Sequence, residues 1–415
     1  MTSDFLRKTP LNKSFYFSNK NTIIAIFIIM LADLFQIRSS IFALQKQWQT
    51  NELVINYSYG FVRRGLLGSI VNLMSNLFNI SYDKAIVFFG IIGEIAFVCI
   101  LLLFTVKVIK TVNNSYFNFL VLLAFGMHIF GFYFYDWAEP DIFIIILTVF
   151  MCALVIKDRF LLLIPILASA CVCIHEGYVL MHFCIVCAIL IYKIAAAKET
   201  KKRIYYITVF GLTGITVGGL FGYFYFLSNN YINVDSNTLL NNVTDIVGER
   251  ITQKENLFNV FYGIGEYVDP MWLDGKPTVD FYKRMIAALM ILILCSPIIV
   301  LIARFWKKVI KHEQSSLLKA AYIVGHLFLL LNIPMIIFKS DHGRWFYCFV
   351  FFELFVISTL ASCKCEAVCK ALEDYSETKL KHVLMIIIYF IIFVFPNKQF
   401  ISKAFVILFK FLFRE

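Results

Sequence analysis

Four short clusters of ionisable residues stand out between long apolar runs, and each is of a kind that handles anions or protons. Arg63 and Arg64 stand together in the stretch Asn56-Tyr57-Ser58-Tyr59-Gly60-Phe61-Val62-Arg63-Arg64-Gly65-Leu66-Leu67-Gly68. A guanidinium is a planar fork that matches phosphate or carboxylate, and Gly60, Gly65 and Gly68 leave room for a close approach. Asp136, Glu139 and Asp141 surround Trp137 and Pro140. Carboxylates this close raise one another's proton affinity unless a cation compensates. Such a group serves as a general base, binds a divalent metal, or is a solvated acidic turn. His175 and Glu176 precede Gly177 between two apolar runs with almost no joint. There the imidazole orients the carboxylate or shares its proton, or the pair is a structural helix cap. Asp341, His342, Arg344 and Trp345 put an acid, a titratable base, an arginine and a stacking ring on one turn. The alternative for them is a solvated loop with an interfacial tryptophan.

The elements that position these clusters follow from composition. Of 415 residues, 60% are hydrophobic, more than a soluble globular chain carries. The expected fold is all-α, a polytopic transmembrane helical bundle of about 11–12 spans. Apolar runs of spanning length lie at roughly 21–43, 84–106, 117–135, 140–156, 159–175, 177–195, 204–228, 284–303, 318–338, 345–362 and 382–396. A final run near 400–413 either spans or lies in the interface. Without repeats or low-complexity linkers, residues 1–415 read as a single integral membrane domain with outer loops at about 44–83 and 229–283. The first run is too long for a cleaved signal peptide and lacks a small-residue cleavage site.

The net charge of +11 does not point to nucleic acid, because the basic residues gather in short turns between apolar runs. Arg7, Lys8, Lys13 and Lys20 precede the first run and place the N-terminus in the cytoplasm. Alternating from there, every inner loop is basic: Lys107 and Lys110; Lys157 and Arg159; Lys198 to Arg203; Arg304 to Lys311; Lys364 to Lys381. The four ionisable clusters then fall together on the extracytoplasmic face. The 11 cysteines lie mostly inside apolar runs and read as small hydrophobes, with Cys363, Cys365 and Cys369 as free thiols in an inner loop.

Leu66, Leu67, Ile70, Val71, Met74, Leu77 and Phe78 have helical spacing with one apolar face, in a stretch too polar to span. The expectation is an interfacial amphipathic helix in the first outer loop, with Arg63 and Arg64 at its N-terminus. Free amides and the helix dipole there also favour an anion. The candidates are the phosphate of a lipid-linked sugar, lipid headgroups, or acids on the same face. Within the spans, Asp33 and Arg38 compensate each other, whereas Glu94 and Glu353 have no evident local partner. His128, His182 and His326 read as satisfied core histidines. Gly214, Gly218 and Gly222 have the spacing of a close helix contact.

This architecture resembles the GT-C class of membrane glycosyltransferases and the wider set of O-antigen and capsule (Wzy-like) polysaccharide polymerases. The resemblance rests on the many spans, the helix after Arg63 and Arg64, and the acids at outer helix ends. It implies glycosyl transfer from a polyprenyl-phosphate or polyprenyl-pyrophosphate sugar to a glycan acceptor, on the outer face of a bacterial inner membrane. It implies further that Asp136, Glu139 or Glu176, with His175, does the proton chemistry, with a divalent metal as an option. Arg63, Arg64 and Arg344 would hold the lipid phosphate, beside Asp341, His342 and Trp345. GT-C proteins commonly carry their key acid in the first outer loop, where this chain offers only Glu52. The rival readings are a secondary transporter or flippase of lipid-linked sugars, using Glu94 and Glu353, and an acyltransferase with His175 as base.

Overall fold

A computed structural model describes residues 18–41, 52–126, 139–227, 279–332 and 342–376, with isolated positions between 235 and 277. The chain is built from helices: α1 (Asn19–Ile41), α2 (Gly65–Phe78), α3 (Tyr82–Val112), α4 (Ser115–Gly126), α5 (Pro140–Lys157), α6 (Leu163–Ile174), α7 (Tyr178–Met181), α8 (Phe183–Ala196), α9 (Thr200–Phe226), α10 (Val279–His312), α11 (Ser316–Leu327), α12 (His342–Ser362) and α13 (Glu366–Ser376). Among the described residues, the exception is a two-residue antiparallel ladder, Trp272–Leu273 against Lys276–Pro277. Three helices, α3, α5 and α9, are long and apolar enough to cross a membrane. A fourth is obtained if α12 and α13, bent by 112° at Cys363–Cys365, count as one broken span.

Local chemistry sets the helix ends. Pro140 stands at the first position of α5, where its missing N–H costs nothing. α3 and α5 stop at Asn113 and Asp158, both left-handed, whose amides turn back on the last carbonyls of the helix. At one end of the bundle Asn19 accepts from the Asn118 amide and donates to Asn113, both at 2.8 Å, tying α1 to the α3–α4 turn. Lys107, Lys110, Lys157, Arg159, Lys202, Lys308 and Lys364 stand at or near helix ends on this same side. Phe89 of α3 stacks on Phe143 of α5 at 4.9 Å, so the two helices start at the opposite end, where Arg63 and Arg64 lie. These basic residues thus gather at one end of the bundle, while Lys84 stands in the first turn of α3 at the other.

The interior is rich in aromatic side chains. Phe97, Phe117, Phe125, Phe224 and Phe305 are fully buried, and Phe351 stacks on Phe355 at 5.7 Å. On the outside, Leu103 is 70% exposed and Ile215 73%, side chains that suit a lipid surrounding better than water.

One expectation is corrected. The runs expected to span at 159–175 and 177–195 form helices of only 12 and 14 residues, α6 and α8. At about 1.5 Å per residue neither crosses a bilayer core of about 30 Å alone, because the turn ahead of Leu163 delays the start of α6, and α7 with the break at His182 delays α8. The run at 318–338 is α-helical to Leu327 and continues as a 3-10 turn over Phe328–Asn332, and 333–338 lie outside the described residues. Among the described residues, nothing lies within 4 Å of where the Cβ atoms of Gly214, Gly218 and Gly222 would be. The runs at 382–396 and 400–413, His128, most of the 229–283 loop, and the side chains of Asp33 and Arg38 lie outside the described residues.

Candidate functional site

The site is assembled where the first long loop folds back on the start of α2. Asn56 accepts from the Ser58 amide at 2.9 Å and opens a 3-10 turn, Tyr57–Tyr59, which ends at Gly60 with φ 109°. The Tyr57 amide donates to Ser69 Oγ at 2.9 Å, and that hydroxyl donates to the Gly65 carbonyl at 2.7 Å. The Tyr82 hydroxyl sits 3.0 and 3.1 Å from the carbonyls of Leu53 and Gly68. The loop strand therefore lies directly on α2, and Gly68 is where it crosses. A Cβ there would sit 1.9 Å from the Ile55 carbonyl oxygen, so no larger residue fits. This crossing carries Glu52, in a single helical turn, to the head of α2.

Arg64 occupies that head. It is the N-cap of α2 and has left-handed backbone (φ 56°, ψ 13°), a conformation costing a residue other than glycine about 1–2 kcal/mol. Its guanidinium holds the strain in place. Nε donates to Glu176 Oε2 at 3.0 Å and Nη2 donates to Glu176 Oε1 at 2.9 Å, a bidentate pair across 112 residues of sequence. Nη1 donates to Glu52 Oε1. Arg63, only 3% exposed, brings its Nη1 within 3.9 Å of Glu176 Oε1 and lies 6.0 Å from the centre of the Tyr225 ring. The end of α9 closes over this corner, with Phe61 against Tyr223 and Phe224 at 5.4 and 5.3 Å.

Among the described residues, two guanidiniums and two carboxylates thus meet in a nearly closed space, and their formal charges cancel. Burial alone would favour the protonated form of Glu176, but Arg64 outweighs it and holds the carboxyl well below the usual carboxylate range. Burial likewise disfavours charge on Arg64, yet Glu176 and Glu52 fix it firmly as the cation. Burial raises the Tyr57 phenol well above its ordinary value, so it stays neutral beside the cluster.

The expected residues divide as follows. Arg63, Arg64, His175 and Glu176 come together. His175 Nδ1 accepts the Gly177 amide at 2.8 Å and lies 3.9 Å from Glu176 Oε2. It caps the turn that presents Glu176, while Arg64 does the holding. Glu139 and Asp141 are buried at the start of α5, which corrects the solvated-turn reading. The tight turn at 158–162 runs α6 back along α5, so both acids lie at the same end as Glu176. Asp136 and Asp341 lie outside the described residues. His342, Arg344 and Trp345 belong to the first turn of α12 rather than to a loop, and that turn faces the same end of the bundle. Among the described residues, no group of three or more His, Cys, Asp or Glu is placed to hold a metal ion.

Glu52 is the residue that the four clusters did not include. Its signal was present: it is the lone acid of the first long loop, twelve positions before a doubled arginine. Glu353, expected to lack a partner, has two, Trp306 and His326. Comparison with protein-family models, curated proteins and solved structures finds no match for this chain.

Proposed function

We propose that this chain is a multi-pass membrane glycosyltransferase or polysaccharide polymerase, working on a polyprenyl-phosphate- or polyprenyl-pyrophosphate-linked sugar at the extracytoplasmic face. One observation carries the reading: Arg63, Arg64, Glu52 and Glu176 form a buried, charge-balanced cluster at the end of the bundle away from the lysine-rich turns. Around it the bundle would have its full set of about 11–12 spans. α2 would lie in the outer interface, with Leu73, Leu77 and Phe78, all exposed, in the lipid.

The chemistry follows from the ion pairs. While Arg64 chelates Glu176, that carboxylate is a poor base. A donor phosphate entering beside α2 competes for the same guanidiniums, and arginine forks suit it equally well. When phosphate takes Arg63 and Arg64, Glu176 loses the cations that hold its proton affinity down, and burial then raises that affinity. Glu176, with Glu52 beside it, becomes a general base at the moment the donor is in place. The acceptor hydroxyl attacks the anomeric carbon and its proton passes to the carboxylate. The bond from that carbon to the phosphate oxygen breaks, and the electron pair leaves on the (pyro)phosphate, neutralised by the arginines. Such stabilisation in a water-poor site is worth about 3–4 kcal/mol per donor group.

The test is reconstitution of the full chain in lipid nanodiscs with a polyprenyl-pyrophosphate oligosaccharide and a glycan acceptor, together with the surface glycan of a strain lacking the chain. Loss of the long-chain ladder with one unit retained identifies a polymerase, and loss of one branch a single-sugar transferase. An unchanged glycan contradicts the proposal. A second reading, translocation of the lipid-linked sugar, is favoured by one observation, the buried Glu353 paired with His326 and Trp306.

A further inference from the structure

Glu353, His326 and Trp306 come from three helices, α12, α11 and α10. Glu353 is 3% exposed, and among the described residues no lysine or arginine pairs with it. It lies near the middle of the 21-residue α12, roughly 14–17 Å from either end at the usual helical rise. A carboxylate at that depth has a function by default.

The hydrogen-bond directions around it can be settled one atom at a time. The indole Nε1–H of Trp306 donates to Glu353 Oε2 at 2.6 Å. His326 Nδ1 lies 2.6 Å from the Tyr322 carbonyl oxygen, which can only accept, so Nδ1 carries a hydrogen. In a neutral ring the other nitrogen, Nε2, is then a bare lone pair. It faces Glu353 Oε1 across 3.6 Å. A lone pair facing an ionised carboxylate in an apolar interior is repulsive on both sides. One hydrogen in the gap removes the conflict, whether the pair is imidazolium with carboxylate or imidazole with carboxylic acid. The remaining neighbours do not supply that hydrogen. Among the described residues, α8 brings the Cys184 thiol, which Asn332 approaches at 4.0 Å, and the Tyr322 hydroxyl is turned to Cys365 Sγ at 3.0 Å. Lys308 and His312, further along α10, are held by Asp374, both at 2.9 Å. α4 and the middle of α10 contribute apolar walls, including Phe117, Leu120 and Ile302.

We propose that Glu353 and His326 form a proton-binding site in the interior of the bundle, holding one proton between Oε1 and Nε2. A cavity of ≈ 250 Å³, lined by Trp306, Tyr322, Ile323, His326 and Leu327, opens beside the imidazole where Ile323 and Leu327 are exposed. The bound proton joins α11 to α12, and Trp306 adds α10. Loading and unloading the site therefore tightens and loosens three helices at once, as a proton-driven rearrangement requires. The inference is independent of the sugar-transfer reading, since it uses none of the residues at the arginine cluster.

The experiment is nitrogen-15 NMR of histidine-labelled full-length protein in nanodiscs at pH 7, with isotope-edited infrared reading of the Glu353 carboxyl. Either a hydrogen on His326 Nε2 or a protonated Glu353 is expected. In Glu353→Gln the side-chain amide donates to Nε2 at every pH, so His326 is expected to lose the titration that the wild type shows. A neutral His326 with a bare Nε2 beside an ionised Glu353 in the wild type overturns the proposal. That measurement decides the matter even if the variant does not fold.

Discussion

Arg64 chelates Glu176 through both carboxylate oxygens, at 3.0 and 2.9 Å, while its third edge holds Glu52. An arginine pair that in sequence asks for an anion is therefore already provided with two. Any external phosphate at this corner has to displace a carboxylate, and the consequences of that competition can be measured.

Removing the arginine should cost more than removing either acid. Arg64→Ala leaves Glu52 and Glu176 buried without their shared cation and with Arg63 beside Glu176 at 3.9 Å, a loss of about 3–5 kcal/mol for a broken buried pair. Arg64→Lys should recover only part of it, because an ammonium cannot bond both oxygens of Glu176 and reach Glu52 as well. Glu176→Gln should be the mildest of the three. Denaturant or thermal unfolding in detergent gives the order, and equal stability of Arg64→Lys and wild type would contradict the bidentate geometry.

Stability should respond to acid through Glu176. Its folded-state proton affinity is depressed relative to a free glutamate, whose ordinary value is 4.5. The sign is therefore that of a group whose stabilisation is fully present above that ordinary value and lost as pH falls below it. Comparing unfolding temperatures of wild type and Glu176→Gln from pH 7 down to about pH 3 should show the wild-type advantage shrinking on the acid side. A difference constant across the range would mean that Arg64 does not hold the carboxylate in its ionised form.

The two classes of glycine should behave oppositely. Gly68→Ala forces a Cβ to within 1.9 Å of the Ile55 carbonyl, and should cost about 1–3 kcal/mol while pulling Glu52 away from Arg64. Gly214→Ala meets nothing among the described residues and should be neutral or gain up to about 1 kcal/mol in helix stability. Unfolding midpoints of the two variants check this.

Arg63, Arg64 and Glu176 were legible in the sequence because they are charges in places where charges are expensive. Their joint location followed from the alternation of basic turns. Which acid meets which arginine was not legible, since Arg64 and Glu176 are separated by 112 residues and several outer acids were equally available. Glu52 was passed over for the same reason: its importance comes from the backbone crossing at Gly68, a contact that no local pattern encodes. The apolar runs located the helices well but overstated α6 and α8, because hydropathy does not register the turn ahead of Leu163 or the break at His182. Glu353 looked unpartnered because Trp306 lies 47 residues earlier, on another helix. Gly214, Gly218 and Gly222 carried a packing signal that the described helices do not use.

The most direct test of the arginine exchange is binding of a soluble polyprenyl-phosphate analogue to the full chain in nanodiscs, with wild type and Glu176→Gln side by side. Glu176→Gln removes the internal competitor, so it should bind the phosphate at least about tenfold more tightly, worth about 1.4 kcal/mol, yet lose sugar transfer. Arg63→Ala with Arg64→Ala should lose both. Unchanged phosphate affinity in Glu176→Gln would contradict the account, because the carboxylate and the phosphate would not then be competing for the same arginines.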